Sequence, residues 1–200
     1  MSGTRYFFFD CETTGLPRIR YFSEEVAEDW PRLVQIAWAR YDTEGNAETA
    51  QCHIIRPADF EIPEEATRIH GITDTMARRS GRDLAEVLDE FLESAARPET
   101  ILVAHNLDYD LGVVGSELVR QKRSLDFLHT PGICTMKTTT DFCRIPRMGG
   151  GFGYKWPSLT ELHLRIFGLP YDGAHDAGRD IEACARCFFK LLEGGYYPRP

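Results

Sequence analysis

Asp10 and Glu12 stand two residues apart, directly after the aromatic run Tyr6–Phe9. Because side chains of a strand alternate between its faces, the two carboxylates would project together while Cys11 points the other way. Carboxylate oxygens are the ligands that hard divalent cations such as Mg²⁺ and Mn²⁺ prefer. Taken alone, the pair fits either a metal site or a solvated strand end that faces a Lys or Arg side chain.

A second polar group follows the apolar run Ile101–Ala104 and extends from His105 to Asp110. Ligands of α/β proteins gather at the carboxyl ends of strands, so this stretch is placed where a site would form. Asp108 and Asp110 could each cap the following helix or bind a metal, and the residues alone leave both roles open.

A third group contains His175 and Asp180, at the start of the last predicted helix. On one helix this spacing would turn the two side chains about 140° apart, so they share a site only if His175 precedes the first turn. Gly173 and a helix cap at Asp176 would permit that arrangement. Taken alone, such a histidine is more typical of a surface or structural position.

Hydrophobic periodicity and turn residues predict the elements that must position these groups. We predict strands over Arg5–Cys11, Leu33–Tyr41, Gln51–Arg56 and Ile101–Ala104. We predict helices over 83–96, 107–122 and 176–192, and another that begins at Ser158 with a capping box to Glu161. The remaining segments are a surface insertion at about 17–31, a Gly- and aromatic-rich loop over 146–157 and a short tail over 194–200. The absence of a domain-scale linker predicts one α/β domain over residues 1–200.

The chain has 200 residues and is acidic, with 31 Asp and Glu against 23 Lys and Arg and a net charge of −8. This charge disfavours a constitutive nucleic-acid binder but leaves room for an enzyme that contacts nucleic acid transiently. Residues 131–165 are the exception, with five Lys and Arg against two Asp and Glu, and this stretch is the predicted phosphate-facing side. Short apolar runs and scattered cysteines predict a cytoplasmic protein that does not enter a membrane.

The three groups occur in order as DCETTG, HNLDYD and HDAGRD. Together they resemble the motifs of the DEDDh, or DnaQ-like, 3′–5′ exonucleases, the superfamily of the bacterial DNA polymerase III proofreading (epsilon) subunit and RNase T. The resemblance extends from about Tyr6 to Leu192, and Tyr109 stands where the family has Phe. It implies an RNase H-like fold, with a mixed five-stranded sheet in the order 3-2-1-4-5, an antiparallel strand 2 and flanking helices.

The resemblance also implies the roles of individual residues. Two Mg²⁺ or Mn²⁺ ions would be held by Asp10, Glu12, Asp110 and Asp180, so that Asp110 and not Asp108 is the ligand of the second motif. His175 would be the general base, since histidine can accept a proton from water near neutral pH. The terminal nucleotide would contact Thr13, Thr14, Gly15, Leu16, His70, Asn106 and Tyr109.

The function implied is metal-dependent hydrolysis of DNA from the 3′ end with release of nucleoside 5′-monophosphates. The alternatives are an exoribonuclease that trims RNA and a catalytically silent nucleic-acid-binding protein, with DNA favoured over RNA as the partner. A stand-alone bacterial member is expected, monomeric or homodimeric, because no polymerase-tethering tail follows the last helix.

Aromatic residues near the expected mouth of the site have two interpretations. They could stack on nucleobases, or they could pack the insertion onto the body of the domain. The residues concerned are Tyr21, Phe22, Trp30, Phe152, Tyr154 and Trp156.

Overall fold

The computed structural model describes residues 3–149 and 152–198. Parts of the predicted loop 146–157 and tail 194–200, and both ends of the predicted domain, lie outside these residues. The described chain contains a five-stranded sheet in the order β3-β2-β1-β4-β5. The strands are β1 (Arg5–Thr13), β2 (Leu33–Tyr41), β3 (Ala47–Ile54), β4 (Thr100–Ala104) and β5 (Gly132–Cys134). β2 runs antiparallel to β1 and β3, whereas β1, β4 and β5 are parallel, which confirms the predicted sheet.

Helices cover both faces of this sheet. They are α1 (Glu64–His70), α2 (Asp74–Ser80), α3 (Leu84–Ala95), α4 (Leu107–Arg120), α5 (Thr135–Thr138), α6 (Thr140–Cys143), α7 (Leu159–Phe167) and α8 (Ala177–Glu193). The predicted capping box of α7 is present, with Ser158 accepting from the Glu161 N–H and the Glu161 carboxylate accepting from the Ser158 N–H. No helix of residues 3–149 and 152–198 is both long and apolar enough to span a membrane.

β1 is an apolar strand because both of its faces are buried. Phe7 packs edge-on against Phe91 of α3, with ring centroids 5.4 Å apart. Phe8, on the opposite face, packs edge-on against Phe188 of α8 at 5.5 Å. Two hydrophobic layers therefore fix β1, and with it the polar residues at its carboxyl end.

The predicted insertion, residues 17–31, packs against α4 and is called the arm below. The Trp30 ring occupies space that a side chain at Gly112 would fill, since a Cβ there would lie 2.2 Å from the ring. Phe22 lies over Gly115 in the same way, at 2.8 Å from the corresponding Cβ position. The Arg120 guanidinium donates to two arm carbonyl oxygens at 2.6 and 2.8 Å. The arm is thus anchored by side chains that interlock with one helix.

The shortest elements differ from the sequence-based expectation. α1 and α2 were not predicted because each buries a single alanine, Ala66 and Ala77, and shows no apolar stripe. β5 has three residues, too few for a periodic signal. β3 begins earlier than predicted, since its first residues are exposed at the sheet edge and lack the apolar alternation of a half-buried strand.

Candidate active site

A cleft with a cavity volume of about 390 Å³ opens at the carboxyl ends of β1 and β4. Its lining includes every predicted site residue except Thr14. The predicted residues in it are Asp10, Glu12, Thr13, Gly15, Leu16, His70, Asn106, Tyr109, Asp110, His175 and Asp180. Folding thus brings the three sequence groups, which are far apart along the chain, into one cleft.

Thr14 has a different position. Its hydroxyl accepts a hydrogen bond from the Arg32 N–H at 3.0 Å, and its own N–H donates to the Arg32 carbonyl oxygen. Neighbouring Thr13 instead turns into the cleft, where its hydroxyl lies 2.6 Å from the Tyr109 hydroxyl and 2.7 Å from the Gly15 carbonyl oxygen. Thr14 therefore joins the end of the arm to the end of β1 and is not part of the cleft lining.

β1 supplies two carboxylates to the cleft. Asp10 and Glu12 project from the same face of the strand, while Cys11 lies in the opposite core layer. Burial raises the pKa of Glu12 to about 8, with the negative charge of Asp180 adding to the effect. Burial and the charges of Asp110 and Asp180 raise the pKa of Asp10 well above its ordinary value. These carboxylates are therefore held close together at a cost in electrostatic repulsion.

The first turn of α4 separates the two acids of the second motif. Asp110 is 2% exposed, and its Oδ1 accepts a hydrogen bond from the Cys11 N–H at 3.1 Å. Burial raises the Asp110 pKa well above its ordinary value in spite of that bond. Asp108 instead points outward and forms an ion pair with Lys137.

The start of α8 places the third group. Asp176 is the helix cap, accepting from the Arg179 N–H at 3.0 Å, so His175 precedes the first turn and Asp180 lies within it. His175 has a left-handed backbone with φ of 69°, and its N–H donates to Asp180 Oδ2 at 3.1 Å. Gln35 of β2 ties the cap to the sheet, because its amide donates to Asp176 and accepts from the Ala177 N–H.

The structure reveals a further partner of this group that sequence reasoning missed. The Tyr171 hydroxyl donates to Asp180 Oδ1 at 2.5 Å. Both oxygens of the Asp180 carboxylate are thus oriented, one by this hydroxyl and one by the His175 N–H. Tyr171 lies outside the three motifs, and no spacing pattern in the sequence marks it.

Two histidines in the cleft are in different environments. His105, which begins the second sequence group but was assigned no role there, donates from Nε2 to the Pro157 carbonyl oxygen at 3.0 Å, and its Nδ1 lies 2.9 Å from the Thr135 hydroxyl. Burial lowers the His105 pKa to about 4. His70 accepts from the Ile72 N–H through Nδ1, and burial lowers its pKa.

The donor set of the cleft fits hard divalent cations. None of Asp10, Glu12, Asp110 and Asp180 forms an ion pair with a Lys or Arg of residues 3–149 and 152–198. Glu12, His175 and Asp180 offer ligand atoms that all lie within 4.8 Å of one another. Clustered, partly desolvated carboxylates without a basic side chain are stabilised by a bound cation, which compensates their repulsion.

The aromatic residues divide between the two interpretations of their role. Trp30 is 4% exposed and Phe22 is half-buried, so both pack the arm onto the body. Tyr21 and Trp156 are 70% and 49% exposed, respectively, and stay available at the surface beside the cleft. Phe152 is fully exposed and lies on neither wall of the cleft.

A family model described as an exonuclease, RNase_T, matches residues 7–188. The chain is 29% identical over 193 residues to the DNA polymerase III subunit epsilon of Aquifex aeolicus. The alignment covers 96% of this chain and 82% of that protein. It is also 29% identical over 193 residues to the PolC-type DNA polymerase III of Streptococcus pneumoniae. That match covers 96% of this chain but 11% of the polymerase, so the chain corresponds to about a tenth of that relative's length.

Among solved structures, the chain is similar to E. coli exonuclease I in complex with a dT13 oligonucleotide, with a TM-score of 0.75 and 21% identity. The similarity covers 94% of this chain and 41% of exonuclease I. It shows that the two proteins share the same fold over nearly the whole of this chain.

Proposed function

This chain belongs to the RNase_T family of exonucleases, and from that membership we propose that it removes nucleotides from the 3′ ends of DNA in a divalent-metal-dependent reaction. The observation that carries the proposal is the convergence of four carboxylates, from β1, α4 and α8, beside an exposed histidine in one cleft. The similarity to DNA polymerase III subunits and to an exonuclease I bound to an oligonucleotide supports DNA as the substrate.

Two Mg²⁺ or Mn²⁺ ions would be held by Asp10, Glu12, Asp110 and Asp180. Bound there, such ions would supply Lewis-acid stabilisation of the attacking and leaving oxygens of a phosphodiester. The Cys11 N–H holds the Asp110 carboxylate against β1. Tyr171 and the His175 N–H hold both oxygens of Asp180. These hydrogen bonds orient carboxylates that would otherwise separate because of their mutual repulsion.

His175 is the general base of the proposed reaction. Its side chain is exposed at the edge of the cleft, within 4.8 Å of the oxygens of Glu12 and Asp180, so water can reach it. The imidazole accepts a proton from the attacking water as the water oxygen bonds to phosphorus. The bond from phosphorus to the 3′ oxygen of the preceding nucleotide breaks, this oxygen takes up a proton from water and becomes the new 3′-hydroxyl of the shortened strand, and a nucleoside 5′-monophosphate leaves.

The terminal nucleotide would occupy the apolar and hydrogen-bonding side of the cleft. Leu16 is 85% exposed and Ile69 is 59% exposed, which leaves two aliphatic side chains on the lining free to contact a base or sugar. Thr13, Gly15 and Tyr109 form a hydrogen-bonded cluster that fixes the turn after β1. Asn106 and His70, which also line the cleft, supply the remaining polar contacts.

The acidity of the chain is compatible with this reaction. Two bound divalent cations would halve the formal charge of −8. Engagement of a strand end would then depend on metal and stay weak, since few phosphates are neutralised by side chains.

The proposal is tested with 5′-labelled and 3′-labelled single-stranded DNA, duplex DNA and RNA, each with Mg²⁺, Mn²⁺ or EDTA. We expect a ladder from 5′-labelled DNA and release of labelled mononucleotide from 3′-labelled DNA, both abolished by EDTA. Faster shortening of RNA than of DNA would establish the exoribonuclease alternative instead. Binding of DNA without cleavage in either metal would contradict the proposal and favour the catalytically silent alternative.

A further inference from the structure

A second cavity, of about 270 Å³, adjoins the candidate active site and is called the side cavity. It shares two wall residues, Asn106 and Tyr109, with the main cleft. Its other lining residues are Pro17, Arg20, Tyr21, Trp30, Asp108, Lys137 and Trp156. A polynucleotide strand whose 3′ end lies in the main cleft can therefore continue past Asn106 and Tyr109 into the side cavity.

The exposed walls of the side cavity are aromatic. Tyr21 comes from the arm, and Trp156 comes from the segment before α7. When a flat partner stacks on exposed aromatic rings, apolar surface is removed from water and few internal contacts are lost. Nucleobases are such partners, and base–aromatic stacking tolerates any base because each presents a π-face.

The charge of the side cavity differs from that of the main cleft. Arg20 forms no ion pair with any residue of 3–149 and 152–198, and its guanidinium lies 5.4 Å from the centre of the Tyr21 ring. Lys137 is paired with Asp108, so the lining has two cations against one carboxylate. A guanidinium thus lies beside an exposed aromatic ring. A nucleotide offers one group to each of them, a phosphate to the guanidinium and a base to the ring.

The arm holds Arg20 and Tyr21 in a fixed position. Trp30 and Phe22 interlock with Gly112 and Gly115 of α4, as described above. α4 also supplies Tyr109, which belongs to both cavities. Because the arm and the cleft share this helix, little ordering entropy remains to be lost when a ligand enters the side cavity.

We propose that the side cavity binds the nucleotide that precedes the 3′-terminal one, with its base stacked on Tyr21 and Trp156 and its phosphate paired with Arg20. This inference rests on the proposed function and adds the residues that select a polynucleotide over a mononucleotide ester. The arm residues that the family motifs do not include thus take part in substrate binding.

The test compares two substrates, an oligothymidylate and the 4-nitrophenyl ester of thymidine 5′-monophosphate, which has no second nucleotide. We expect Tyr21→Ala and Trp156→Ala each to raise KM for the oligothymidylate, relative to the ester, about 5- to 150-fold. Trp156→Phe should keep most of the affinity because it keeps a stacking ring. Phe152→Ala is the matched control, because Phe152 is an exposed aromatic residue that lines neither cavity. It should leave KM unchanged for both substrates.

An oligothymidylate with an abasic residue in the second position from the 3′ end completes a double-mutant cycle. Wild-type protein should lose affinity for it by the same factor as the double variant Tyr21→Ala/Trp156→Ala loses for the intact strand, because both changes remove both stacks, and the double variant should show little further loss on the abasic strand. Full additivity of the two losses, or an equal effect of both variants on the ester, would overturn the proposed subsite. Failure of the wild-type protein to shorten the intact strand would instead overturn the proposed function.

Discussion

The carboxylate of Asp110 accepts a hydrogen bond of 3.1 Å from the backbone N–H of Cys11, a residue 99 positions earlier in the chain. This bond joins the first turn of α4 to β1 between Asp10 and Glu12. It places a third carboxylate beside two that already repel each other. This long-range contact, more than any local feature of the second motif, therefore brings Asp110 into the candidate metal site.

Asp110→Asn should reduce metal-dependent nuclease activity by about a hundredfold or more, the scale found when one electrostatic group is removed from an active site. Asp108→Asn is the matched control for kcat at saturating substrate, since Asp108 pairs with Lys137 in the side cavity and lies outside the four-carboxylate cluster. Activity assays across a Mg²⁺ titration measure both. Equal losses in the two variants would contradict the assignment of Asp110.

Tyr171→Phe should raise the Mg²⁺ concentration for half-maximal activity about 10- to 100-fold, with a smaller effect on kcat at saturating metal. The physical reason is loss of the hydroxyl that orients Asp180 Oδ1. Tyr196→Phe is the control, because that hydroxyl donates to the Thr138 carbonyl oxygen away from the cleft. An unchanged metal titration would show that Tyr171 does not position Asp180.

His175→Ala should lower kcat about 100- to 10,000-fold, the usual contribution of a general base, and should alter the pH–rate profile. Binding of Mg²⁺, followed as a metal-dependent rise in Tm, should persist because the carboxylates remain. The exposed His129 lines neither cavity, so His129→Ala provides a matched control. A pH–rate profile identical to that of the wild type would argue against His175 as the base.

Gly112→Ala should destabilise the protein by roughly 1 to 2 kcal/mol, although alanine is the better helix former. The added Cβ would lie 2.2 Å from the rigid Trp30 ring and would displace the arm. Urea unfolding measures the loss, and KM for an oligonucleotide should rise with it. The smaller ring of Trp30→Phe in the same background should recover part of the stability, and a purely additive loss would contradict steric interlocking.

His105 makes the stability of the fold depend on pH. Its pKa is about 4 in the folded state and near 6.5 in an unfolded chain, so the unfolded state binds the extra proton first on acidification. Its stabilising contribution is complete above pH 6.5 and is lost as pH falls toward 4. The free energy of unfolding of the wild type minus that of His105→Gln should therefore fall by about 2 to 3 kcal/mol as the pH is lowered from 7.5 to 4.5. Urea titrations at several pH values test this, and parallel curves would contradict it.

The sequence by itself determined the motifs, their order and the principal elements. Alternation along β1 indicated that Asp10 and Glu12 share a face, because that geometry is local to one strand. The bounds of β2 match the prediction, since its apolar run is limited by Arg32 before it and by the turn residues 42–46 after it. Resemblance to the DnaQ-like family supplied the sheet order, which the structure confirms.

The family resemblance had already favoured Asp110 over Asp108, but only the tertiary structure identified Tyr171 as the partner of Asp180 and formed the side cavity beside the cleft. Each of these depends on contacts between segments that are distant in the sequence, which hydrophobic periodicity and turn signals do not encode. The short helices α1 and α2 also escaped prediction, because packing against the rest of the chain stabilises them more than an apolar stripe of their own. Local sequence patterns thus indicated the candidate site residues, and long-range packing brought them together in one cleft.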